Sequence, residues 1–249
     1  MIRFVAVQHT FAEFFGALEP QLESRDIGFT YLRVVTGQDV IGSALQHDAL
    51  WLLGGAYPAA DRERCPWVDD ELRLIGAFQR ARRPVVGLGF GAHLVAMAAG
   101  GTARPVPLHD AYWTTAHATA AGADDPVAQA VDGREVLVMA NGRVELPPHL
   151  EPVAVDDAGR WIAVRPDALT YGLLFRPELK PGMIEDMVME EGRPVPDDVG
   201  ELIEGARARW EETQRTVDRV VVALVRALDL MRERRKMPVF SLREVRSED

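Results

Sequence analysis

The chain has a single cysteine, Cys65, so no intramolecular disulfide can form and a cysteine-rich zinc site is excluded. A reducing compartment fits, and the expected location is the cytoplasm. No stretch reaches the roughly 18 uninterrupted apolar residues that a membrane-crossing helix needs. The segment from Met1 to His9 is too short an apolar run for a signal peptide. Positive charge is also in short supply: 28 Lys and Arg against 38 Asp and Glu leave a formal net charge of -10. Such a surface repels nucleic acid and anionic membrane, which leaves small molecules or another protein as partners. His109, His117 and His149 show neither H-x-x-x-H nor H-E-x-x-H spacing, so no metal and no cofactor are expected.

What is present describes an α/β protein. With 47% hydrophobic residues in 249, the chain can bury one large core. Phe4 to Gln8 reads as a strand, Phe11 to Leu22 has helical spacing, and Thr30 to Val35 reads as a second strand. Ala49 to Leu53 is a third apolar run, Val68 to Arg82 a helix with Asp69, Asp70 and Glu71 near its N-terminus, and Pro84 to Leu88 a buried strand. Alternation of this kind predicts a three-layer fold, a mostly parallel central sheet with helices on both faces. Between Ala103 and Val164, turn pairs such as Asp132-Gly133, Asn141-Gly142 and Asp157-Ala158-Gly159 predict hairpins. A long helix is expected from Val199 to Lys236. Its stripe of Val217, Val221, Leu224, Leu228 and Met231 would pack on the chain's own sheet or, failing that, form a homodimer seam. Arg232, Arg234, Arg235 and Lys236 would complement the helix dipole at its end. Residues 1–180 are expected to form the α/β domain and 181–249 a helical extension packed on it.

Three segments carry chemistry. Gly87-Leu88-Gly89-Phe90-Gly91 joins a strand to a helix with small flanking residues, the layout of a nucleophile elbow. Leu52-Leu53-Gly54-Gly55 precedes Cys65-Pro66-Trp67-Val68-Asp69, and Phe175-Arg176-Pro177-Glu178 follows an apolar run. In this order the three resemble the class I glutamine amidotransferases, flavodoxin-like proteins whose elbow is G-x-C-x-G, whose glycine loop supplies an oxyanion-hole amide, and whose H-P-E segment carries the general base. The tail from Leu179 to Met231 resembles the helical end of a free-standing branch of that family. The resemblance implies that Gly89 stands where the nucleophilic cysteine belongs and Arg176 where the histidine belongs, while Glu178 is kept.

On that reading glutamine hydrolysis fails. Glycine supplies no nucleophile, and an arginine, protonated at every physiological pH, accepts no proton. Cys65 reads as a small buried hydrophobe with no supporting histidine. His93, four residues past the elbow, reads as a packing residue, with a base or ligand role in the vacated pocket as the sharper option. The strand Val138 to Pro147 lacks the histidine that the family tends to carry there. The remaining glycines would leave amides exposed at a helix N-terminus, so Gly54, Gly55, Gly89, Phe90, His93, Arg176 and Glu178 are candidate ligand residues, with Arg176 on the rim gripping a small carboxylate. The expected function is a non-catalytic partner, regulatory or ligand-binding subunit of another enzyme. The alternative is altered chemistry on a small carboxylate or amide through Glu178 with His93 or Arg176.

Overall fold

The computed structural model describes residues 3–38, 42, 44–190 and 192–231, and within them the side chains of all but 105–109. Its strands are β1 (Arg3–Gln8), β2 (Gly28–Arg33), β3 (Ala49–Leu52), β4 (Val85–Leu88), β5 (Thr102–Thr115), β6 (His117–Ala118), β7 (Glu135–Glu145), β8 (Pro152–Val155), β9 (Trp161–Asp167) and β10 (Thr170–Leu173). Its helices are α1 (Glu19–Glu23), α2 (Val68–Arg80), α3 (Phe90–Ala98), α4 (Pro126–Val131), α5 (Pro181–Met189), α6 (Val199–Ala208) and α7 (Trp210–Ala227). The main sheet runs β2-β1-β3-β4-β10-β9-β8-β6. It is parallel from β2 to β10 and antiparallel from β10 to β6. β5 and β7 form a separate antiparallel ribbon.

The period of two along each strand separates the two faces. Phe4, Ala6, Ala49, Trp51, Val86 and Leu88 enter one buried cluster, joined there by Val127 and Val131 of α4 and Val217, Val220, Val221 and Leu224 of α7. Val5, Val7, Leu50, Leu52 and Val85 enter the other, against Leu74, Ile75 and Phe78 of α2 and Leu94 and Val95 of α3. The three-layer arrangement expected from the sequence is therefore observed. Apolar stripes on helices covering both faces of the parallel half produce it.

Several local expectations need correction. The helix anticipated from Phe11 is instead an irregular segment, a single 3-10 turn at Gly16–Leu18 and then the short α1. Pro20 explains the late start, because proline lacks an N–H and is tolerated only in a helix's first turn. Asn141-Gly142 is no hairpin turn; it lies inside β7, where Gly142 (φ 74°) sits beside the register shift against β5. The long C-terminal helix is broken at Arg209 into α6 and α7. The break lets Leu202 and Ala206 pack with Leu137, Met139 and α5 while α7 joins the main core. Arg209 holds the corner, its guanidinium 5.1 Å from the Trp113 ring centroid and 3.1 Å from Glu135. The stripe of α7 faces inward: Leu224 and Leu228 are buried in the chain's own core, so they present no dimer seam, while Met231 is exposed. Arg232, Arg234, Arg235 and Lys236 lie outside the described residues.

Candidate functional site

The parallel strands β1, β3 and β4 deliver their C-terminal ends to one edge of the sheet, the usual place for a site in such folds. β4 ends at Leu88 and α3 starts at Phe90, so Gly89 alone makes the turn, at φ 53° and ψ −109°. That backbone conformation is strained for any residue with a Cβ. The elbow foreseen from the glycine spacing is therefore present as geometry.

The space in front of Gly89 is filled. A Cβ placed there would stand 2.8 Å from Nη1 of Arg176, 3.1 Å from its Cζ and 3.2 Å from its Cδ. A Cβ on Gly54 would collide with the Glu13 carboxylate and with Arg176. Arg176 is buried, not on a rim as expected. Its Nε donates to Glu178 at 2.5 Å, its Nη1 donates to the carbonyl of Met139 at 3.0 Å, and its Nη2 donates to Glu13. With those donors committed inside the chain, it has little left to grip an incoming carboxylate.

Glu13 is the residue that the sequence concealed. It lies just past the C-terminal end of β1, buried, and accepts from both Arg176 and Nη2 of Arg193, the latter at 2.6 Å. Arg193 also pairs with Glu190 at 2.8 Å, and Glu190 accepts from the Ala12 amide at 3.0 Å. A chain of buried charges thus runs from the elbow to the segment after α5. Burial opposes the charge on Glu13, but Arg176 and Arg193 pull its pKa down to about 2. Glu178 moves the other way: burial pushes its carboxyl up more than Arg176 draws it down, and its second oxygen finds no hydrogen-bond partner among the described residues. Burial likewise opposes the charge on Arg176, yet Glu178 and Glu13 hold its pKa above the ordinary value.

A second pair lies alongside. His9, also past the end of β1, donates from Nδ1 to the Gly54 carbonyl at 2.9 Å and meets both oxygens of Glu71 at 3.0 Å through Nε2. Burial works against the imidazolium, and Glu71 outweighs it and raises the pKa. His9, Gly55, Phe90, Cys65 and Arg193 line one cavity of about 460 Å³. Cys65 has no histidine near it along the chain, and the fold places His9 at the same cavity. Both nitrogens of His9 are engaged, however, and burial pushes the Cys65 thiol up to about 12, so the thiol stays protonated. Asn141 pins the glycine loop from β7, donating to the carbonyls of Gly55 at 3.3 Å and Ala56 at 2.6 Å.

The candidate residues thus fall into three places. Gly54, Gly89 and Glu178 meet around Arg176, with Glu13; Gly55 and Phe90 face the His9 cavity; His93 lines a different cavity, beside Trp161 and Val138. The one available signal for Glu13 and His9 was their position immediately after an apolar strand. Among the described residues no three His, Cys, Asp or Glu side chains are grouped to hold a metal ion.

The architecture has counterparts among solved structures. A glutamine amidotransferase from Thermotoga maritima superposes with a TM-score of 0.74 at 18% identity, covering 92% of this chain and 98% of that one. The fold is that of the glutamine amidotransferases. A GMP synthase subunit from Thermoplasma acidophilum superposes more loosely, with a TM-score of 0.55 and 17% identity over 86% of this chain and 98% of that one. In sequence, the chain is 34% identical to the glutamine amidotransferase-like protein YfeJ of Salmonella typhimurium over 97 residues, which is 38% of this chain and 41% of that protein. No family model matches the chain. Among the described residues no helix is long and apolar enough to cross a membrane.

Proposed function

We propose that the chain is a member of the class I glutamine amidotransferase family without glutaminase activity, serving as a ligand-binding or regulatory partner of another enzyme. One observation carries this reading: the Arg176 guanidinium occupies the volume that a side chain at Gly89 would need. Amide hydrolysis of this type requires a nucleophile, a base that takes its proton and donors for the oxyanion. Here the nucleophile position carries no side chain, and the base position carries a cation locked to Glu178 and Glu13. The Glu13 carboxylate crowds Gly54, where an oxyanion donor belongs on the family reading. Altered chemistry through Glu178 and Arg176 has less support, because the two are buried and paired with each other. That one structural neighbour carries the name of a GMP synthase subunit supports a partner role.

The test is ammonia and glutamate release from glutamine by the purified protein. No release above buffer is expected, and at most a trace from the double variant Gly89→Cys with Arg176→His, because Glu13 and Arg193 remain in the way. Appreciable turnover by the unmodified chain overturns the proposal.

A further inference from the structure

A cavity of about 590 Å³ lies between α3 and the β5–β7 ribbon, apart from the filled elbow. That volume suits a small organic ligand. Its apolar wall is made by Val138, Ala140, Leu146 and Leu174. Its mouth carries Arg104, Arg143 and Arg160, whose side chains are 51%, 46% and 40% exposed. The carboxylates of Asp110 and Glu145 also line it, and Asp156 lies behind Arg160, so each arginine has a counter-charge while its remaining donors stay at the mouth.

The arginines are restrained but not used up. Arg143 reaches Asp110 through two long contacts of 3.2 and 3.4 Å, and Arg104 meets Glu145 at an exposed site. Exposed pairs of this kind are weak, and a guanidinium has five donors, so a ligand carboxylate can share them. Arg160 is better fixed, 2.7 Å from Asp156 and with its guanidinium 4.3 Å from the Tyr112 ring centroid. It is a preorganised cation at the mouth.

His93 closes the deep end. It is 2% exposed and lines the cavity, and no hydrogen bond joins its ring to any described residue. Burial lowers its pKa to about 4, so the ring is neutral at pH 7 and offers one N–H and one lone pair. A buried polar side chain without a hydrogen-bond partner needs one.

We propose that this cavity binds a monocarboxylate with a ring-sized apolar body, its carboxylate held by Arg143 and Arg160, its body against Val138, Ala140 and Leu174, and a hydroxyl or carbonyl at its far end meeting His93. A dianion such as a phosphate monoester fits less well, since Asp110, Glu145 and Asp156 already offset the three arginines. The inference rests on the ligand-binding reading above but places the ligand outside the elbow, where Arg176 leaves no room.

Three probes test it on the full chain: 4-hydroxyphenylacetate, its uncharged amide, and phenylacetate. Calorimetric titration gives affinity, and the side-chain nitrogen spectrum of the wild-type protein reports on His93 without any change to the fold. The hydroxy acid is expected to bind with a shift of the His93 resonances. Its amide should bind at least about tenfold more weakly, the loss of a charge-assisted hydrogen bond. Arg143→Gln with Arg160→Gln, the first exposed and the second half-buried, should weaken the acid by a similar factor and leave the amide unchanged. Phenylacetate should bind more weakly than the hydroxy acid and leave the His93 resonances in place. No saturable binding, equal affinity for acid and amide, or binding that leaves His93 unmoved overturns the proposal. Ammonia release is measured on the same samples. Absent binding with no glutamine turnover refutes this site alone, whereas turnover refutes the non-catalytic reading and leaves the cavity result standing.

Discussion

Gly89→Ala is the sharpest probe of the elbow. The change adds one methyl at a backbone φ of 53° and ψ of −109°. Holding a residue with a Cβ in such a sparsely populated region costs about 1–3 kcal/mol. The methyl also meets Arg176 at 2.8–3.2 Å, closer than ordinary van der Waals contact. Arg176 has little freedom to retreat, because Glu178, Glu13 and the Met139 carbonyl hold it on three sides. Dislodging a buried pair fully costs about 3–5 kcal/mol, which bounds this second contribution from above. A total near 3 kcal/mol follows, or roughly 6–12 °C in Tm for a chain of this size. The assay is urea unfolding of wild type, Gly89→Ala, Arg176→Ala and the double variant. With the guanidinium gone only the backbone strain remains, so Gly89→Ala should cost at least about 1 kcal/mol less in the Arg176→Ala background. A coupling below about 0.5 kcal/mol would mean that Arg176 does not fill the space in front of Gly89, which would refute the observation behind the proposed absence of glutaminase activity.

Two further outcomes are expected. His93 is neutral when buried and titrates near pH 4, against an ordinary 6.5, so its contribution to stability is complete above pH 6.5 and is lost as pH falls toward 4. Of a total on the order of 3 kcal/mol, about 2 kcal/mol should vanish between pH 6.5 and 5.0. The difference in unfolding free energy between wild type and His93→Leu isolates it, since the oppositely signed His9 is common to both; a pH-independent difference rejects a buried neutral His93. Leu224→Asp is expected to cost at least roughly 3 kcal/mol by placing a carboxylate in the main core. A variant that stays as stable as wild type but halves its mass in solution would instead show that α7 forms a dimer seam.

The strands that carry the elbow were legible because their information is local. β1, β3 and β4 are short apolar runs, and the Gly-x-Gly-x-Gly spacing requires a sharp strand-to-helix turn whatever surrounds it. Position along the chain also led to the proposed alignment of Gly89 and Arg176 with the nucleophile and base positions of the resembling family. Readings stayed open or went wrong where a local signal had two solutions. Asn141-Gly142 serves a hairpin turn or a bulge equally well, and only pairing with β5 selects the bulge. The stripe of α7 fits an own-chain core or a partner, and only the packing against α4 and the sheet decides between them.

Tertiary structure alone decided the state of the site. Glu13 is 163 residues from Arg176 and 180 from Arg193, and no sequence period couples positions so far apart. Whether Arg176 is a free cation at a rim or a buried plug depends on which carboxylates the fold brings within hydrogen-bonding range. The sequence by itself determined that this chain builds the α/β sheet and its elbow and that Gly89 brings no nucleophile. The fold determined that the space in front of Gly89 is filled from within by Arg176, held by Glu13 and Glu178, because a buried cation must find its counter-charge wherever the chain happens to place one.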